Sequence, residues 1–400
     1  MMSEWNEVRL GDLCTFVSRG ITPQYVDEGI PVINQKCIRN NKVDLSLCRF
    51  TNSLQRIKDD KFVQYGDILI NSTGTGTLGR VATYKHHLDK VSADGHVTII
   101  HTKHDVDPLY LGYYLHSVEP LIENLGRGTT NQLELSPSDL KRIKIVLPCL
   151  QTQKQVVKIL SAYDDLIENN NRRIALLEKA AQELYKEWFV RFRFPGHETA
   201  KFENGLPAGW NIKKLADYGK IETGKTPSTE VAENYGEDIM FVKTPDMHGN
   251  MFTIHTGEYL SQQGHKCQPK KLLPSNSIMV SCIGTGGVVS INAEPAHTNQ
   301  QINSIIVDDP VFLEWLFFTC KSLKETIELF GATGATMTNL SKGKFEKLKV
   351  IEPTEKLILL FHEKTQPFFE EIKSLMYQYQ NLAKQRDLLL PRLMSGKLEV

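Results

Sequence analysis

No charge of either sign dominates this chain. Lys plus Arg and Asp plus Glu each number 47 in 400 residues, a formal net charge of zero, so no global field holds a polyanion non-specifically. Any nucleic-acid binding must come from local patches or from a basic partner. The seven cysteines (Cys14, Cys37, Cys48, Cys149, Cys267, Cys282 and Cys320) include no C-x-x-C pair. That pattern suggests neither a zinc site nor a disulfide framework, and fits a reducing cytosol. No apolar run approaches the length of a membrane span, and the polar start Met1-Met2-Ser3-Glu4-Trp5-Asn6 lacks a secretory core. The expected location is the cytoplasm, with no membrane partner.

Catalytic signatures are missing too. H-E-x-x-H, G-x-S-x-G and clustered metal ligands do not occur. The Asn/Asp-Pro-Pro-aromatic loop that a DNA amino-methyltransferase needs for a flipped base is also absent. The twelve histidines are dispersed, and His96 and His297 are expected to be surface or satisfied residues. Gly219-x4-Gly224-Lys225-Thr226 matches the P-loop expression, but it follows a weak strand and meets Pro227 at once. Gly74-x-Gly76-x-x-Gly79 matches the dinucleotide fingerprint, yet Arg80-Val81-Ala82-Thr83-Tyr84 after it looks like a strand, not the helix that should receive a pyrophosphate. A tight β-turn or loop is the expectation there. No catalytic or metal residue is assigned.

What the chain does contain is periodicity and repetition. Val156, Leu160, Tyr163, Ile167, Asn170, Ile174, Leu177, Ala181, Leu184 and Trp188 form an unbroken 4-3 stripe within 151–194, the pattern of a coiled-coil seam. Asn170 is its one polar member, a device that fixes register at the expense of stability. A second stripe comprises Phe361, Thr365, Phe368, Ile372, Leu375, Tyr379, Leu382, Arg386, Leu389 and Leu393, with a kink or restart point expected at Pro367. The two helices are expected to pack on each other.

The sequence before each helix appears twice. Trp5 recurs as Trp210, Pro23 as Pro227, Gly74 as Gly284 and Pro148 as Pro353, at offsets of 205, 204, 210 and 205 residues. Four landmarks in near-constant register mark an internal repeat. Within the first copy, Cys14 to Ser18, Pro31 to Asn34, Asp67 to Asn71, Val97 to His101 and Ile143 to Leu147 are strand-like, and Pro108 to Leu125 is helical. The expected fold is α+β: two repeated mixed α/β, β-rich domains separated by two long helices that form an antiparallel coiled coil. Its segments are a domain at 1–150, a helix at 151–194, a breaker-rich linker at 195–209, a domain at 210–353 and a helix at 354–400.

The run Leu184-Tyr185-Lys186-Glu187-Trp188-Phe189-Val190-Arg191-Phe192, leading into Gly205-Leu206-Pro207-Ala208-Gly209-Trp210, resembles the specificity subunit of type I restriction-modification enzymes. So does the C-terminal Leu389-Leu390-Pro391-Arg392-Leu393-Met394-Ser395-Gly396-Lys397-Leu398. The likeness covers the whole chain. Its family often carries a proline-rich turn with Glu-Gln before each long helix. Pro148-Cys149-Leu150-Gln151-Thr152-Gln153 and Pro353-Thr354-Glu355-Lys356 only approximate that turn.

The resemblance implies a non-catalytic reader of double-stranded DNA. Each domain would be a target recognition domain for one half of a bipartite asymmetric site, and the helices would set the spacer. Two modification subunits would carry S-adenosylmethionine, and restriction subunits with ATP and Mg would join them; this chain itself would hold no cofactor. Helices of about 35 residues extend roughly 50 Å, enough to separate domains by one DNA turn of about 34 Å.

DNA contacts are expected from polar loop residues after the strands: Arg19, Thr22, Gln24, Gln35, Lys36, Thr75, Thr77, Arg80 and His96 in the first domain. In the second they are Lys225, Thr226, Lys243, Thr244, Thr285, Asn299, Gln300 and Gln301. Arg and Lys read guanine or hold phosphate, while Asn and Gln pair with adenine edges. Arg127, in the loop Gly126 to Gln132 echoed by Gly331 to Thr336, is expected to meet phosphate. The competing class is a protein-protein scaffold with a coiled-coil spacer; a basic stripe on both domains and DNA-dependent assembly would favour the reader, and binding unaffected by DNA the scaffold. A third, a nucleotide-dependent enzyme, would require ATP turnover lost on Lys225→Ala.

Overall fold

The computed structural model describes residues 5–128, 133–332 and 338–400. It comprises two compact units, Met1–Leu166 with Leu382–Val400, and Ile167–Asn381. The loop positions Thr129 to Gln132 and Thr333 to Thr336, singled out above, lie outside the described residues.

In the first unit, Cys14–Arg19, Val97–Thr102, Ile68–Asn71 and Val81–Thr83 make an antiparallel sheet in that order. All four residues of Ile68–Asn71 are buried, as expected of an apolar run covered on both faces. Alternation divides them: Ile68 and Ile70 pack with Leu111 and Leu115 of the helix Pro108–Ser117. Leu69 packs the other way with Ile33 and Ala93, which belong to a second sheet of Ser92–Ala93, Ile30–Ile33, Arg49–Thr51 and Tyr25–Val26.

The Asp107 carboxylate starts the helix by accepting from Leu109 N at 3.0 Å and Tyr110 N at 3.1 Å, with Pro108 in the first turn. Gly112 lets that helix press on the sheet, since a Cβ there would lie 2.0 Å from Thr83 Oγ1. The helical stretch expected to reach Leu125 breaks at Val118 and restarts as Glu119–Glu123, because Pro120 has no N–H to continue the ladder.

The second unit repeats this plan. Its five-stranded sheet runs Gly219–Thr223, Ile302–Val307, Ile278–Ser281, Val289–Asn292, Phe252–Thr253. Its companion sheet runs Tyr235–Gly236, Tyr259–Leu260, Ile239–Val242, Ala296–Thr298. Asn6–Arg9 pairs with Lys144–Leu147 in the first unit, Asn6 opposite Leu147, and Asn211–Lys214 pairs with Lys349–Glu352 in the second, Asn211 opposite Glu352. Both partners have moved 205 residues. Single hydrogen bonds repeat as well: Ser72 N to His96 O (2.8 Å) and Leu135 N to Ser72 O (2.8 Å) return as Cys282 N to Gln301 O (2.7 Å) and Leu340 N to Cys282 O (2.9 Å).

The long helices are Leu150–Tyr185 and Glu355–Met394. In the first unit Val156, Val157 and Leu160 share a core with Leu390, Leu393 and Met394. In the second, Ala181, Tyr185 and Trp188 share one with Phe361, Phe369 and Ile372. Asn170 Nδ2 donates to Gln378 Oε1 at 3.5 Å, and Arg173 pairs with Glu371, so the helices run antiparallel with the polar step inside the seam. Tyr379 departs from the stripe and is 38% exposed.

Pro367 does not interrupt its helix. The carbonyl left without a donor belongs to Glu363, on the exposed face. The first helix stops before Phe194, contrary to the periodicity: a π-helical turn, Lys186–Val190, leads to Phe192 at φ 56°. Phe192 then meets Trp210 edge-on and Phe194 packs on it at a tilt, with centroids 5.4 and 5.6 Å away. Aromatic packing turns the chain where the heptad pattern would have continued.

Candidate nucleic-acid interface

Strand register gathers most of the polar loop residues at one end of each main sheet. Thr98 lies opposite Arg19, Val97 opposite Asn71, and Ile70 opposite Val81. Arg19, the loop from Thr73 to Arg80, and His96 therefore leave the first sheet at the same edge. In the second unit Asn303 lies opposite Thr223, Ile302 opposite Ser281, and Val280 opposite Val289. Lys225 with Thr226, Thr285, and Asn299 to Gln301 leave at the matching edge.

In the first unit the cluster is tied together through Thr73. Gln35 Nε2 donates to the Thr73 carbonyl and hydroxyl oxygens, and His96 Nδ1 is 2.8 Å from Thr73 Oγ1. Asn71 Nδ2 donates to Gln35 O at 3.1 Å. The Gly74 to Gly79 segment is a hydrogen-bonded turn, with Leu78 N to Gly74 O at 3.0 Å and Gly79 N to Asn71 O at 2.8 Å. A strand follows it, as the sequence indicated. Arg80 Nη2 donates to Gly76 O at 2.7 Å, and Thr77 Oγ1 donates to Thr73 O at 3.3 Å, leaving Thr75 exposed at the tip. Thr22 and Gln24, also exposed, belong to an adjoining loop held by Gln55 Nε2 to Thr22 O (2.9 Å) and Asn52 N to Gln24 O (3.0 Å).

In the second unit Thr226 Oγ1 donates to Gln300 Oε1 at 2.6 Å, and Asn299 Nδ2 donates to Gln301 Oε1 at 3.1 Å. Asn299 N to Val242 O, 3.1 Å, brings Lys243 alongside. Thr244, read above as a loop contact, is 7% exposed, with its hydroxyl buried and unpaired among the described residues. It follows Lys243 into a short turn whose Met247 fills the core. Asn299 is similarly inward, at 9% exposure. The P-loop match is void: Gly219–Thr223 is a strand, and a Cβ on Gly224 would lie 2.2 Å from Asn299 O.

Charge sorts the basic candidates into two groups. Arg19 is paired with Glu134 at 3.2 Å, Arg127 with Asp139 at 3.0 Å, and Lys243 with Glu258. Lys36, Arg80 and Lys225 have no carboxylate partner among the described residues and keep a net charge at the sheet ends. Two residues at this edge escaped the sequence reading. Lys61 Nζ donates to Ser18 Oγ (2.8 Å) and to Arg19 O, and burial depresses its pKa. Asp94, buried with a raised pKa, accepts from His96 N at 2.9 Å. The role of Lys61 arises from a pairing across the fold that its sequence surroundings do not mark, whereas the Asp94 contact is local, to the backbone two residues on. His297 is fully buried, its Nε2 3.0 Å from His265 Nδ1, and burial with that neighbour lowers its pKa to about 4. Among the described residues no group of three or more His, Cys, Asp or Glu side chains is placed to hold a metal, and no helix is long and apolar enough to cross a membrane.

The type I restriction modification DNA specificity domain matches this chain twice, over residues 2–179 and 207–357. The chain is 31% identical to the type I restriction enzyme HindI specificity subunit of Haemophilus influenzae, across 99% of this chain and all of that one. It is 28% identical to the MjaIX specificity subunit of Methanocaldococcus jannaschii, across 99% and 94%. The crystal structure of the type I restriction-modification S subunit from M. genitalium shares its fold with a TM-score of 0.64, at 15% identity and covering 98% and 96% of the two chains. With two domain matches that span most of its length and the repeat they describe visible bond by bond, the chain belongs to the DNA specificity subunits of type I restriction-modification systems, which are non-catalytic.

Proposed function

We propose that each compact unit binds one half of a split, asymmetric double-stranded DNA site, in the cytoplasm, through the loop-bearing end of its main sheet. The observation that carries this is the repeated strand-end frame with different side chains on it. Lys225 N to Thr298 O at 2.9 Å repeats Ile21 N to Ala93 O at 2.7 Å, so Lys225 stands where the first unit has Ile21. Gln301 likewise stands where the first unit has His96. One backbone plan with two residue sets suits two dissimilar half-sites.

Lys36, Arg80 and Lys225 supply unpaired positive charge for phosphate or guanine. Thr22, Gln24, Thr75, His96, Arg127, Thr285 and Gln300 are solvent-exposed, and their polar groups reach base edges or backbone. Arg19, Gln35, Thr77, Thr226, Lys243, Asn299 and Gln301 hold the loops in place, and Thr244 is buried beneath them. The long helices set the spacer and dock two modification subunits, which bring S-adenosylmethionine. Restriction subunits with ATP and Mg complete the assembly.

The test is selection from a random duplex library by the chain complexed with its modification subunit. Two short enriched segments of unlike sequence at a fixed spacing are expected. A single palindrome, or no enrichment, would overturn the proposal.

A further inference from the structure

In the first unit two short turns face each other through sulfur. Gln35–Cys37 and Leu45–Leu47 are single 3-10 turns, and Cys48 follows the second. Cys37 Sγ and Cys48 Sγ are 3.8 Å apart. Asn34 joins the turns, its Nδ2 donating to Leu47 O at 3.0 Å and its Oδ1 accepting from Lys36 N at 2.9 Å. Its backbone N–H donates to Cys37 Sγ at 3.4 Å. Cys37 is buried and Cys48 is half-buried.

The repeat shows what the Cys37 sulfur is doing. In the second unit the matching turn starts at Lys243, whose backbone N–H donates to Asp246 Oδ2 at 2.8 Å. Asn299 N to Val242 O at 3.1 Å and Asp94 N to Ile33 O at 2.9 Å fix the correspondence. A carboxylate accepts that N–H in one unit, and a sulfur accepts it in the other. Cys37 thus occupies a position built for an anion. Its hydrogen bond with Cys48, and then that from Asn34 N, favour the thiolate against the opposing effect of burial, while Cys48 is pushed up and keeps the proton.

We propose that Cys37 and Cys48 are a redox modification site: oxidation joins them in a reversible disulfide that displaces the turn carrying Gln35 and Lys36 and weakens DNA binding by the first unit. The effect on DNA rests on the function proposed above. With hydrogen peroxide as oxidant, the Cys37 thiolate takes one oxygen to become a sulfenic acid and releases hydroxide, which removes the proton from Cys48. The Cys48 thiolate then attacks the Cys37 sulfur and expels hydroxide, which takes up the proton left by Cys37. Overall, two thiols and one peroxide give one disulfide and two waters.

A disulfide is about 2.05 Å long, so the sulfurs must close by roughly 1.8 Å. The bonded sulfur is neutral and no longer a strong acceptor for Asn34 N–H. Gln35 holds the Thr73 loop, so the displacement reaches Thr73 and His96. The second unit has Asp246 at the Cys37 position and cannot respond in this way.

The full chain in complex with its modification subunit is treated with hydrogen peroxide, alkylated and digested. A peptide pair linking Cys37 to Cys48 is expected, reversed by dithiothreitol and absent in Cys37→Ser and in Cys48→Ser. Duplex affinity of the parent should fall roughly tenfold on oxidation and recover on reduction, while Cys48→Ser stays constant under both conditions. Oxidation of the exposed Cys149 with Cys37 and Cys48 left as free thiols would overturn the site. A linked pair with unchanged affinity would overturn its coupling to recognition. Reduced protein that binds no duplex would instead count against the proposed function, and the linked peptide would still decide the disulfide.

Discussion

Asp164→Ala should unfasten the long helices from the first recognition domain. Asp164 accepts from Tyr113 Oη at 2.5 Å and from Arg386 Nη1 at 2.9 Å, and lies 3.4 Å from Lys85 Nζ. Its side chain is 13% exposed and that of Arg386 18%. Breaking a buried pair from one side costs roughly 3–5 kcal/mol, because the remaining charge stays buried. Arg386 retains Asp387 at 2.9 Å, which puts the expected loss near the lower end, about 3 kcal/mol. Urea titration measures it, and amide exchange at 105–118 and 150–166 assigns it to the first unit.

The same carboxylate gives a pH signature. Burial alone would raise the Asp164 pKa, but the hydrogen bond from Tyr113, the Lys85 charge and the Arg386 pair outweigh it and hold the value below the usual 3.8. A depressed carboxylate stabilises the fold fully above its unfolded pKa, near 3.9, and ceases to as pH falls through the folded value. The gap between parent and Asp164→Ala should therefore be constant at neutral pH and close below about pH 4. A variant within about 0.5 kcal/mol of the parent, or a gap that widens in acid, would refute this account of the joint.

Three further outcomes are expected. Lys225→Ala should weaken binding of the assembled complex without changing the recognised bases and lower the salt slope by about 0.9, read by fluorescence anisotropy at several ionic strengths. Asn170→Leu should raise the urea midpoint of the second unit while loosening helix register, since the bond from its amide to Gln378 is long, at 3.5 Å; a lower midpoint would contradict the register role. Seven residues inserted in both helices preserve the heptad and add about 10.5 Å, so the DNA spacer should lengthen by about three base pairs at 3.4 Å each, with both half-sites unchanged.

Periodicity and repetition carried most of the architecture into view from the sequence. The stripe from Val156 to Trp188 and the landmarks around Pro23, Gly74 and Pro148 are local patterns, and the fold preserves them. What the pattern could not show depends on partners distant in sequence. The helix ends at Val190 because Phe192 and Phe194 find Trp210, and Thr244 is buried because Met247 enters the core. Pro367 stays helical because the carbonyl it leaves unpaired is on an exposed face. At the candidate interface, the loops read from the sequence leave each main sheet at one edge. The sequence did not distinguish the free charges of Lys36, Arg80 and Lys225 from Arg19, Arg127 and Lys243, whose carboxylate partners come from other loops.

The central claim is that recognition is divided between two units that act separately. Replacing residues 1–150 with the corresponding segment of a related specificity subunit, expressing the hybrid with its modification subunit and sequencing the methylome, tests it directly. One half of the methylated site should change to that of the donor, while the other half and the spacer length are retained. Loss or change of both halves in a folded, methylating hybrid would contradict it.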